Sequence, residues 1–210
     1  MRKGIIGAGG FAREVYWSLD LEDREDSVFF VDDKYWVENS DSILPLSKFD
    51  PTVYQVVVAI GNPKDRFDVI QKLPKETKYF THIHKSCQIL GADVSIGDGS
   101  IICAGTIITT NVKLGKHTHL NLHTTIGHDC EIGDYFTTAP GAKVSGNCKI
   151  YDCVYLGTNA SIKEKITIHS LTTIGSNATV VKNIDEPGTY IGVPTKKINN
   201  YENDKRFFKY

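Results

Sequence analysis

Residues 102–137 read ICAGTI-ITTNVK-LGKHTH-LNLHTT-IGHDCE-IGDYFT when cut into sixes, and an aliphatic residue opens every block. The rhythm extends both ways. From Leu90 through Ile96, Ile102, Ile108, Leu114, Leu120, Ile126, Ile132, Thr138, Val144, Ile150, Leu156, Ile162, Ile168 and Ile174 to Val180, 15 of the 16 anchors are aliphatic. The exception is Thr138. Four residues after each anchor the side chains are mostly compact, as at Ser100, Thr106, Thr124, Cys130, Ala142, Cys148 and Ala160. A period of six suits neither an amphipathic helix nor simple strand alternation. It suits a β-solenoid in which each hexad is a short strand and a corner, with three hexads per coil. Anchor and fourth-position residues then point into a narrow dry core, and residues 18 apart stack. Glycine often follows the anchor, as at Gly97, Gly115, Gly127 and Gly157, fitting corners with positive φ or crowded backbones.

Residues 1–82 have a different rhythm. Gly4–Ile6, Ser27–Val31 and Tyr54–Ile60 read as strands, the last apolar enough for a buried parallel sheet. Phe11–Leu21 and Pro63–Leu73 read as helices, the second with proline in its first turn. The expected organisation is a Rossmann-like unit over 1–82, a solenoid over 83–198 and a tail over 199–210.

The first strand runs into Gly7-Ala8-Gly9-Gly10-Phe11-Ala12, a G-x-G-x-x-A turn, and Asp32 lies 20 residues beyond Ala12. Such a turn brings backbone N–H groups to phosphate, and the acid can bind ribose hydroxyls. NAD is one ligand of this chemistry, but no second domain offers hydride transfer; a nucleotide sugar fits equally. Gly61-Asn62 follows the third strand, where open parallel sheets hold ligands.

No histidine beyond residue 90 occupies an anchor or fourth position, so all five should face outward or sit at corners. For His117, His119 and His169 a solvated surface is expected. His128 is followed by Asp129, and Gly146 lies 18 residues on. A histidine stacked on a glycine with an open N–H offers a general base beside an oxyanion donor. Cys130 and Cys148, also 18 apart, should stack in the core as small apolar groups.

Net charge is −1 from 24 basic and 25 acidic residues, which advertises neither nucleic acid nor an anionic membrane. No apolar run approaches the roughly 20 residues of a bilayer span, and Met1–Gly7 does not read as a signal peptide. Five cysteines without CxxC spacing suggest a reducing compartment. The expectation is a soluble cytoplasmic protein.

In order, GAGGFARE, FFVDD, VAIGN, LNLHTTIGHDCEIGD, APGAKVSGN and GVPTKK resemble the sugar acyltransferases of the PglD/NeuD type, over nearly the whole chain to about residue 198. The resemblance implies a left-handed parallel β-helix, a homotrimer with active sites at subunit interfaces, and acetyl-CoA as co-substrate without a metal. It implies that His128 is the catalytic base, Asp129 its partner and Gly146 the donor to the thioester carbonyl. Asn121 matches an acceptor-site asparagine, and Gly9, Gly10, Phe11, Asp32, Asp33 and Gly61 match nucleotide-binding positions. Coenzyme A would lie near Thr158, Gly175 and Ser176, with Pro194 and Lys196 in the following loop. Thr137 stands where relatives often carry a cofactor-contacting histidine. The activity implied is N-acetylation of a nucleotide-linked 4-amino-4,6-dideoxy sugar, with O-acetylation of a sialic-acid-like hydroxyl as the close variant. Two other readings stay open. His123 and His128 share their five-residue spacing with gamma-class carbonic anhydrases, which also use this β-helix; the other reading is a non-catalytic nucleotide-sugar-binding protein.

Overall fold

A computed structural model describes residues 1–38 and 42–198; the tail 199–210 lies outside the described residues. Its first part is a parallel sheet of β1 (Arg2–Ile6), β2 (Val28–Val31), β3 (Ile43–Pro45), β4 (Tyr54–Val58) and β5 (Lys78–Tyr79), in the order β3-β2-β1-β4-β5. The order reverses between β1 and β4, so their carboxyl ends frame the crevice where such sheets take ligands. The helices are α1 (Gly10–Ser18), α2 (Leu21–Glu25) and α3 (Pro63–Ile70).

The helix expected over Phe11–Leu21 ends early. Ser18 Oγ donates to the Val15 carbonyl at 2.7 Å, and Leu19 turns extended with its side chain buried, so α2 starts afresh after Asp20. Likewise α3 stops at Ile70 instead of Leu73, since Leu73 precedes Pro74, whose ring disfavours helical geometry there. Strands β3 and β5, three and two residues long, are too short for a sequence signal.

From His82–Ile83 onward the chain winds as a parallel solenoid of three sheets. The first face carries Ile101–Ile102, His119–Leu120, Thr137–Thr138 and Tyr155–Leu156; the second Thr125–Ile126 and Lys143–Val144; the third Glu131–Ile132 and Lys149–Ile150. Every anchor from Ile102 to Val180 is buried, Thr138 included, and so are Cys130 and Cys148. Leu90 is the correction. Ile89, not Leu90, pairs with Ile108, because the first coil takes one extra residue before Ser95 pairs with Lys113. Leu90 is displaced to a corner and is 64% exposed.

Positive φ recurs three residues after the anchor, at Asn111, His117, His123, Asp129, Asn147 and others, mostly without glycine. The glycines after the anchors serve the other cause, crowding: a Cβ on Gly115 would lie 2.5 Å from the Gly133 carbonyl carbon in the next coil.

The α/β unit sits on the first face. Ile5, Ala12, Val15, Leu19 and Val57 share an apolar cluster with Ile101 of the solenoid. This overturns the solvated reading of two histidines. His119 is buried, with the Phe11 ring 5.3 Å away. His117 is buried too, stacked on Tyr135 and edge-on to Tyr79. Only His169 of the three is exposed. Burial first, and the Arg66 cation second, lower His117 to about 4 and push His119 well below the usual imidazole range. The fold therefore favours neutral rings. Their contribution is intact above the unfolded value near 6.5 and is lost as pH falls from there toward 4, on the order of 3 kcal/mol for His117. Denaturant titrations between pH 7 and 4 should show this decline, and His117→Asn, which suits the left-handed corner, should make it shallower, with His119 still contributing. Equal slopes in the two proteins would refute the assignment.

No helix among the described residues is long and apolar enough to cross a membrane.

Candidate active site

Two sets of predicted residues assemble, in different places. At the carboxyl ends of β1 and β4, Gly7 takes φ +110° and packs against the Ala59 carbonyl, which draws the two loops together. Gly9 caps α1, and a Cβ added at Gly9, Gly10 or Gly61 would meet nothing within 4 Å. Nothing in the fold requires glycine at these points; open backbone there suits close approach by a phosphate. Asp32 and Asp33 follow β2 and are exposed. Each has local work: Asp32 Oδ1 accepts from Lys34 N at 3.2 Å and Asp33 Oδ1 from Ser47 N at 3.0 Å. The Ser47 bonds hold the Asp33 carboxyl below its ordinary range. Asn62 Oδ1 caps α3 through the N–H groups of Lys64 and Asp65, so only its amide nitrogen is available to a ligand.

The second set occupies the corner between the second and third faces. His128 Nδ1 and Asp129 Oδ2 are 2.7 Å apart, with both side chains substantially exposed. The ring lies over Gly146: a Cβ there would fall 2.6 Å from His128 Nε2 and 2.7 Å from Cε1. Among the described residues the Gly146 N–H has no hydrogen-bond partner. A further residue belongs here that the reading of the sequence missed. Asn111, one coil earlier, donates from Nδ2 to Asp129 Oδ1 at 2.7 Å. The same 18-residue stacking that joined His128 to Gly146 would have found it. His128 and then Asn111 lower the Asp129 carboxyl below its ordinary range. With Nδ1–H donated to this carboxylate, Nε2 keeps its lone pair for a substrate proton.

The remaining residues lie at the corner between the first and second faces. Asn121, Ala139, Gly157 and Gly175 stack 18 apart, and a Cβ on Gly157 would meet Ser176 N at 2.5 Å. Thr158 and Ser176 are exposed beside them. Thr138, the odd anchor, points inward: its Oγ1 accepts the Asn121 N–H at 2.9 Å and lies 2.7 Å from Thr124 Oγ1. Pro194, in the turn after strand Gly188–Ile191, and Lys196, in the antiparallel strand Lys196–Lys197 that follows, are exposed, while Lys197 is engaged by Glu186 at 2.9 Å.

Thr137 lies apart from Thr158, Gly175 and Ser176, on the first face. It is 4% exposed, sealed beneath the α/β unit, and its Oγ1 accepts from Arg66 Nη2 at 2.7 Å. His123 and His128 sit on successive corners, and among the described residues no group of three or more His, Cys, Asp or Glu could hold a metal.

Comparison with known proteins gives the following. Residues 4–73 match the model of the PglD N-terminal domain. The GDP-perosamine N-acetyltransferase of Escherichia coli O157:H7 is 32% identical over 153 residues, spanning 68% of this chain and 69% of that protein. WeeI from Acinetobacter baumannii AYE has a similar structure, with TM-score 0.83 and 31% identity over 94% of this chain and 99% of that one. The acetyltransferase domain of PglB from Neisseria gonorrhoeae FA1090, in complex with acetyl coenzyme A, gives 0.83 and 26% identity over 94% and 98%.

Proposed function

Because the chain belongs to the PglD-type nucleotide-sugar acetyltransferases, we propose that it transfers the acetyl group of acetyl-CoA to the amine of a nucleotide-linked 4-amino-4,6-dideoxy sugar, GDP-perosamine being the first candidate. One observation carries the reading: the His128 ring, held by Asp129, stands over Gly146. The neutral sugar amine attacks the thioester carbonyl carbon directly. His128 Nε2 takes the N–H proton, the Gly146 N–H stabilises the oxyanion, and the C–S bond then breaks. The departing thiolate takes that proton from His128 as the amide forms, which returns the ring to its neutral state. The nucleotide, bound in the crevice between β1 and β4, supplies binding energy that orients the reacting amine.

Asn121, Thr158, Gly175 and Ser176 occupy one corner of the solenoid, and His128 with Gly146 the next. A second copy of the chain that lays its His128 corner against the Asn121 corner completes the site. This arrangement supports a homotrimer with sites between subunits, coenzyme A lying against Thr158, Gly175 and Ser176, with Pro194 and Lys196 nearby.

The test is thiol release from acetyl-CoA with GDP-, UDP- and dTDP-linked 4-amino sugars, beside their 4-hydroxy counterparts. Turnover is expected with one amino sugar and none of the hydroxy sugars. Activity on hydroxyl acceptors alone would replace N- by O-acetylation, and silence across the panel would remove the reading.

A further inference from the structure

Arg66 rises from α3 and its side chain is fully buried. On one side Nη1 donates to the Ile60 carbonyl at 2.6 Å and the Gly61 carbonyl at 3.3 Å, the strand end that floors the crevice. On the other, Nη2 donates to the Tyr135 carbonyl at 2.9 Å and to Thr137 Oγ1 at 2.7 Å, and Nη1 lies 3.0 Å from His119 Nδ1. Guanidinium has only donors, so His119 accepts on Nδ1 and its tautomer is fixed. Among the described residues no carboxylate forms an ion pair with Arg66.

Burying an unpaired cation is costly, and an apolar side chain of similar size would hold two surfaces together at least as well. What the guanidinium adds is direction: planar bonds to fixed acceptors on both sides. The path then continues. Thr137 is followed by Thr138, which points inward and takes the Asn121 N–H. From the crevice floor to the predicted acceptor residue run three directional bonds and one peptide unit.

We propose that Arg66, Thr137 and Thr138 form a positioning link that sets the distance between the nucleotide crevice and the Asn121 corner, so that an amine carried on the nucleotide arrives in reach of attack. The inference rests on the acetyl-transfer reading above. A nucleotide sugar is gripped at one end and reacts at the other, and a misplacement of about 1 Å can cost on the order of 10²-fold in rate. None of the three residues need touch the substrate.

Thr138→Val tests this sharply. An aliphatic residue is what the other anchors carry, so the melting temperature should hold or rise, yet the Asn121 N–H loses its acceptor. Turnover with the amino-sugar substrate should fall about tenfold or more, while binding of GDP or UDP alone, whichever the wild type binds, is unchanged. Thr137→Val breaks the link at its other end and should give the same split, with Thr137→Ser restoring most of the rate. Wild-type turnover in either valine variant would overturn the link. So would a fall in nucleotide affinity and melting temperature in step with turnover, the mark of a merely structural role. If the wild-type chain releases no thiol with any amino sugar, the acetyl-transfer reading itself has failed. An active wild type with an indifferent Thr138→Val variant sinks the link alone.

Discussion

His128→Ala should lower turnover by about 10²–10⁴-fold, the usual worth of a positioned general base. The side chain is 57% exposed and, among the described residues, its ring bonds only to its neighbour Asp129, so removing it touches no core packing and the melting temperature should stay put. Affinity for acetyl-CoA and nucleotide should change little, which places the loss in the chemical step. The substitution also tests the proposed sharing of the site between two copies of the chain. Chains carrying only His128→Ala and chains carrying only Asn121→Ala, each impaired alone, should regain part of the activity when refolded together, since some interfaces then pair two intact corners. Turnover near normal in the alanine variant would remove His128 from the role. Absence of recovery on mixing would put both corners of one site in a single chain.

Gly146→Ala is the second large effect. Its Cβ would lie 2.6 Å from His128 Nε2, inside van der Waals contact, so the ring must swing away. The N–H survives, yet the base leaves its place over it, and a loss on the order of 10²-fold is expected. The far end of an exposed side chain yields cheaply, so stability should be nearly unchanged. The discriminating result comes from combining substitutions. In a His128→Ala background Gly146→Ala should cost almost nothing more, because both act through one ring. A full additional loss there would mean that the alanine distorts the coil instead.

The solenoid was legible because its core is narrow and repeats the same inward positions in every hexad. Each anchor meets the same requirement, so 15 aliphatic residues announce it, and stacking at 18 follows by arithmetic. That arithmetic reached Gly146 from His128 and would have reached Asn111 from Asp129. It failed at Leu90, where a longer first coil shifts the register; one extra residue leaves no mark in a six-residue count when Ile89 and Leu90 are both aliphatic. The seam was illegible for a different reason. A repeat predicts which side chains point outward, and His117, His119 and Thr137 do point outward from their coils, but toward the α/β unit instead of water. Nothing within the hexads says which outer face a second domain will cover. Arg66 likewise reads as an ordinary helix cation until the fold sets it against the Thr137 hydroxyl. Thr138 showed as an irregularity in the anchor series, and only the hydrogen bond to Asn121 gives the reason.

The most direct test of the central claim is to identify the bond formed. Purified enzyme, acetyl-CoA and the nucleotide-linked 4-amino sugar are incubated, and the product is examined by carbon–nitrogen correlation NMR with a labelled acetyl group. The account predicts an acetyl carbonyl bonded to the nitrogen at C4, formed by the wild type and nearly absent with His128→Ala. An acetyl group on a sugar oxygen, or coenzyme A released without any acetylated sugar, would contradict it.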